Sequence, residues 1–155
     1  MQYLTPDNPV FVTYAIAAAL MVLKLMGQGW LTVYRMMKSG WGGMVNPEDL
    51  RQSALNPHPH DDQLEVSDYV DRSRRMHRND LENIPGFWMA GLLFVFAAPP
   101  LWLAQVTMYG FVLARALHAW AYLSKQNHEV RATFYTVGSL IVIYMALHAL
   151  VVLLG

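Results

Sequence analysis

Two long stretches without a formal charge limit what this chain can fold into. Residues 83–114 and 132–155 contain no Asp, Glu, Lys or Arg, over 32 and 24 positions. About 20 apolar residues at 1.5 Å each cross the hydrocarbon of a bilayer, so both stretches are long enough to span it. The chain's charges are concentrated elsewhere. Sixteen lie between Arg35 and Glu82, and the others are Asp7, Lys24, Arg115, Lys125, Glu129 and Arg131.

The pattern predicts four spans, at about 9–37, 75–97, 101–125 and 129–154. The longer uncharged stretch divides at Ala97-Ala98-Pro99-Pro100, where two prolines remove backbone donors and disfavour helix just before them. A soluble bundle would carry polar stripes along its helices, and the last two spans have almost none. The predicted fold is all-α, an integral membrane four-helix bundle in one domain over 1–155, with a connection at about 38–74. The chain is 55% hydrophobic and 14% charged, against roughly 25% charged for a soluble domain. Nothing basic precedes the first span, and no small-residue cleavage site follows it, so it reads as a span rather than a leader.

Charge and cysteine content exclude several functions. The formal net charge is zero, without the basic surplus a nucleic-acid binder needs. There is no Cys, so any thiol chemistry must use a thiol that arrives with a ligand. His58, His60, Asp61 and Asp62 sit in the long connection and read as an exposed polar loop rather than a metal site.

Lys and Arg are absent from the N-terminal segment, the 97–100 turn and the C-terminus. They crowd residues 35–78 and recur at Lys125 and Arg131. By the positive-inside rule both basic connections face the cytoplasm and both termini lie outside. The apolar tail Val151-Val152-Leu153-Leu154-Gly155 has no basic sorting signal, which favours a bacterial inner membrane over the endoplasmic reticulum.

Ionisable groups inside or at the edge of a span are costly in lipid and tend to face the bundle interior. Three clusters fit this description. Arg75, Asn79 and Glu82 are spaced i, i+4, i+7 on one helix face, with Arg78 beside them. This is either a self-paired helix end or a site for a small zwitterionic or anionic ligand. Arg115, His118 and Tyr122 form the second cluster. Arg115 lies about 15 Å deeper than Lys125, so it needs a buried partner, and Glu82 or a bound carboxylate would serve. Arg131 with Tyr135 and Thr136 is the third, readable as a basic anchor with an interfacial aromatic. Lys24 interrupts the first span and reads as a structural pair with a carboxylate. All three clusters fall in the cytoplasmic half, which implies a polar pocket open to that side.

The run Arg75-x-x-x-Asn79-x-x-Glu82, with Asn46-Pro47-Glu48-Asp49 and the segment from Arg115 to Leu123, resembles the MAPEG family of membrane-associated proteins in eicosanoid and glutathione metabolism. The resemblance covers about 38–136. It implies a homotrimer of four-helix protomers, with glutathione held between neighbours on the cytosolic side. It implies glutathione contacts from Arg75, Asn79, Glu82, Tyr122, Arg131 and Tyr135, and lining or supporting positions at His77, Arg78 and Arg115. Lys38 stands where the family usually has Arg, with Arg35 one turn away as a substitute. Asp49 matches a loop acid proposed to matter in the prostaglandin-synthase branch. That branch has Ser after the last arginine, whereas this chain has Ala132, as in the transferase branch.

The resemblance implies a chemistry that the charges can perform. Cations hold the carboxylates of glutathione and Glu82 holds its ammonium. Arg131 favours the thiolate, with Tyr135 as hydrogen-bond donor. The thiolate then attacks a hydrophobic electrophile that enters from the lipid, or reduces a lipid hydroperoxide. Two alternatives remain open at this stage, a glutathione-dependent prostaglandin E synthase-type isomerase and a non-catalytic scaffold.

Overall fold

The computed structural model describes residues 3–155, and every regular element among them is helical. Helix α1 spans Pro9–Lys38, α2 Asp68–Phe96, α3 Leu101–Leu123 and α4 His128–Leu154. Local chemistry sets their ends. Asn8 caps α1 by accepting from the Val10 N–H at 3.0 Å, with Pro9 in the first turn, where its missing N–H leaves no bond unmade. Gly40, at φ +64°, ends α1. The Gly40 N–H bonds Met37 O and the Trp41 N–H bonds Met36 O, a paired closure that needs a left-handed residue between. The same closure ends α3, with Lys125 at φ +59° in the left-handed position. Asn127 then caps α4 by accepting from the Val130 N–H at 3.0 Å. Pro85 lies inside α2 without ending it.

α1 packs on α2 and α3, and α4 covers the opposite side of the same pair. The core is apolar. Phe87 and Phe111 stack at 4.2 Å and 2°, among Ala17, Met21, Ile84, Phe94, Met108 and Met145. Gly91 admits the Tyr14 ring, because a Cβ there would lie 2.9 Å from it. The Tyr14 hydroxyl donates to Trp88 O at 2.8 Å.

The exterior is also apolar. Leu23 and Trp30 on α1, Trp102 and Leu113 on α3, and Leu140, Leu147 and Val151 on α4 are all exposed. Such a surface is stable against lipid or a partner rather than water. α1 and α4 are each long and apolar enough to cross a membrane. α3, at 23 residues, reaches about 35 Å.

The connection between α1 and α2 is shorter than the charge pattern implies, because α2 begins at Asp68. Its first turns are charged yet helical, with Asp68 and Asp71 favourably placed at the positive end of the helix dipole. The remaining connection is ordered by amides. Asn56 and Gln63 exchange side-chain bonds at 2.7 and 3.1 Å, and Gln63 also donates to Gly40 O at 3.1 Å. Arg74 donates to Asp71 at 2.8 Å and to Gly43 O at 2.6 Å, tying the connection to α2.

Candidate active site

A cavity of about 200 Å³ opens between α2, α3 and α4, lined by Asn79, Glu82, His118, Tyr122, His128, Arg131, Ala132 and Tyr135. Helical spacing brings these residues together. Asn79 and Glu82 are one turn apart on α2, His118 and Tyr122 on α3, and Arg131 and Tyr135 on α4. Asn79 Nδ2 donates to the Tyr122 hydroxyl at 2.8 Å. The Tyr135 hydroxyl donates to Glu82 Oε2 at 3.0 Å. The Arg131 guanidinium lies 4.9 Å from the Tyr122 ring centroid, and among the described residues it has no carboxylate partner. The cavity therefore offers a carboxylate, a free guanidinium and two phenols. At position 132 its wall is a methyl group.

A buried ionic network lies beneath it. Lys24 of α1 and Arg115 of α3 both pair with Asp80 of α2. Gln28 donates to the same Asp80 oxygen as Lys24, and Arg115 Nε donates to the other at 2.6 Å. Arg115 Nη2 lies 3.0 Å from His118 Nδ1. A guanidinium can only donate, so Nδ1 accepts and the ring proton is assigned to Nε2. That Nε2 is buried without a partner among the described residues, on a residue that lines the cavity.

This corrects the sequence reading of Arg115. Its partner is Asp80, and Glu82 instead holds Tyr135. Lys24 is paired with a carboxylate as expected. Asp80 was hidden in a run of charges, but it falls on the spacing of α2's buried face, with Met76, Ile84 and Phe87, and that spacing was available in the sequence.

Other candidate residues fall outside this cavity. Arg75 bonds Asp68 at 2.7 Å, beside Arg72 at 2.5 Å. Those bonds, Arg72's first, hold the Asp68 carboxyl below its ordinary value. His77 and Arg78 face a separate groove of about 440 Å³ with Gly29, Thr32, Arg74 and Leu81. Lys38 is exposed, its ammonium 5.9 Å from the Tyr34 ring centroid. Arg35 does not substitute for it. Its buried guanidinium donates to Tyr69 O at 2.8 Å and lies 4.5 Å from that ring, so it is committed to packing. Asp49 sits exposed in the 3₁₀ turn Pro47–Asp49, accepts from Asn46 at 3.1 Å, and borders a different cavity with Arg51.

Residues 14–151 match the model of the MAPEG family. The chain is 35% identical to prostaglandin E synthase of Equus caballus over 136 residues, 86% of this chain and 83% of that protein. It is 33% identical to microsomal glutathione S-transferase 1 of Bos taurus over 141 residues, 90% of this chain and 88% of that protein. It matches the human transferase of the same name at 33% over 141 residues, with the same coverage of both chains. Relatives bearing two different activity names thus match at similar identity, and the family model covers most of the chain: the chain belongs to the MAPEG family.

Proposed function

We propose that this chain is a membrane-bound glutathione transferase that favours the thiolate of glutathione and delivers it to hydrophobic electrophiles. The observation that carries the reading is the unpaired Arg131 guanidinium sharing a cavity with the Glu82–Tyr135 pair. The set fits glutathione by chemistry. Glu82 accepts the ammonium, Asn79 and Tyr122 bond the peptide, and Arg131 with Tyr135 faces the sulfur. The chain has no thiol of its own, so the nucleophile comes with the ligand.

Arg131 lowers the cost of the sulfur's negative charge, and the His118 Nε2–H adds a donor on the α3 side. In conjugation the sulfur forms a bond to the electrophilic carbon and a halide leaves with its electron pair. In peroxide reduction two glutathiones give up two electrons and two protons, yielding an alcohol, water and the disulfide.

The cavity of about 200 Å³ is below the roughly 300 Å³ at which ligand sites begin. His77 and Arg78 occupy the second groove. A ring in which one copy's first cavity meets the next copy's second groove would join the two faces. The proposal includes such a ring, a homotrimer with composite sites on the cytoplasmic side to which Arg75, Lys38 and Asp49 contribute.

The second reading is a prostaglandin E synthase-type isomerase, favoured by 35% identity to the equine enzyme. The absence of a hydroxyl at Ala132 weighs against it. The test is glutathione titration of detergent-purified protein, then turnover of a halonitrobenzene, a lipid hydroperoxide and a prostaglandin endoperoxide. Binding with conjugate formation supports the transferase. Turnover of the endoperoxide alone establishes the isomerase, and no binding leaves a scaffold.

A further inference from the structure

The Lys24–Asp80–Arg115 network is unbalanced. Two cations share one carboxylate, and Asp80 and Arg115 are fully buried. A network built only to join helices would be neutral, since an extra buried charge is costly. Both Asp80 oxygens are already engaged, one by Lys24 and Gln28, the other by Arg115. Arg115 Nη1 and His118 Nε2 remain buried without partners among the described residues. The added cation, Lys24, enters the network from the α1 side, while the spare donors lie on the α4 side, where Arg115 Nη1 approaches Gly138 and His118 lines the cavity.

We infer that Lys24 and Asp80 are positioning residues that set the ionisation of a thiol bound above them, acting through Arg115 and His118. The inference rests on the glutathione reading and adds a residue of α1 and one of α2 that touch no part of the cavity. The charged and titratable groups facing such a thiol are Glu82 from α2, His118 and Tyr122 from α3, and His128, Arg131 and Tyr135 from α4. Arg115 and Asp80 lie below them, and Lys24 is the group from α1. Glu82 and Arg131 offset each other, so the sign of the field is decided by the network. A unit charge about 10 Å away, at an effective dielectric of about 20, moves an ionisation by about one pH unit.

The test reads the thiolate absorbance of bound glutathione against pH in the full-length protein. Affinity for S-methylglutathione, which has no ionisable sulfur, is measured alongside. Lys24→Met should raise the thiolate midpoint by about one unit and leave S-methylglutathione affinity unchanged. Lys24→Gln keeps a hydrogen bond to Asp80 and should behave the same way, which covers a poorly folding Met variant. Lys24→Arg should restore the wild-type midpoint. Asp80→Asn should move the midpoint the other way, because it adds to the surplus charge. Opposite shifts at Lys24 and Asp80 are what a purely structural pair does not give. Wild-type midpoints in the Lys24 variants, or shifts of the same sign at both positions, overturn the inference while the glutathione reading stands. Absence of S-methylglutathione and glutathione binding in the wild type removes both.

Discussion

Asp80 of α2 accepts a hydrogen bond from Arg115 Nε of α3 at 2.6 Å, with both side chains fully shielded from solvent. The pair sits where α1, α2 and α3 meet, one layer below a cavity whose α3 wall is His118 and Tyr122. Through Arg115 Nη2 and His118 Nδ1, the buried charge that joins the helices also orients a group in the site.

Removing one partner from such a pair leaves the other charged, buried and alone. Asp80→Ala should cost about 3–5 kcal/mol of stability, read as a large loss of melting temperature in detergent. The triple change Lys24→Met, Asp80→Leu and Arg115→Met, which removes all three charges together, should recover much of that loss while abolishing activity. A single variant as stable as the wild type would contradict the burial of this pair.

The turn into α4 contains a correctable strain. Lys125 holds φ +59°, a conformation that disfavours side chains and suits glycine. Lys125→Gly should stabilise the protein by about 0.5–1 kcal/mol, seen as a higher melting temperature with unchanged glutathione affinity.

The start of α2 should be acid-sensitive. Hydrogen bonds from Arg72 and then Arg75 lower the Asp68 carboxyl below its ordinary 3.8. A lowered native value contributes stability above the ordinary one, and that contribution disappears as pH falls through the native value. Melting temperature should therefore fall on the acid side less steeply in Asp68→Asn than in the wild type. Identical slopes would show that Asp68 does not hold these arginines in solution.

Arg131→Ala should separate chemistry from binding. Turnover should fall about 100-fold, the scale for losing a group that stabilises developing negative charge, with a much smaller change in glutathione affinity. Equal losses in both would show that Arg131 serves only to bind.

The sequence shows how far charge patterning can be read. Uncharged stretches, the Pro99-Pro100 break and the asparagines at 8 and 127 mark the four helices, because each acts locally. The Asn79, Glu82, Tyr122, Arg131 and Tyr135 group was legible because each helix carries its residues at turn spacing. Asp80 was not singled out, since a carboxylate in the polar run from Asp71 to Asn83 looks solvated until α1 and α3 cover it. Arg35 looked available for a ligand, and only the fold reveals its commitment to Tyr69. The separation of His77 and Arg78 from the cavity depends on how α2 rotates in the bundle, which spacing within α2 leaves open.

The most direct measurement is the ultraviolet thiolate band of glutathione titrated onto detergent-purified protein at neutral pH, in the wild type and in Arg131→Ala. An activated thiolate gives a saturable band in the wild type that is lost in the variant while glutathione still binds. Binding without any thiolate signal in the wild type would contradict it.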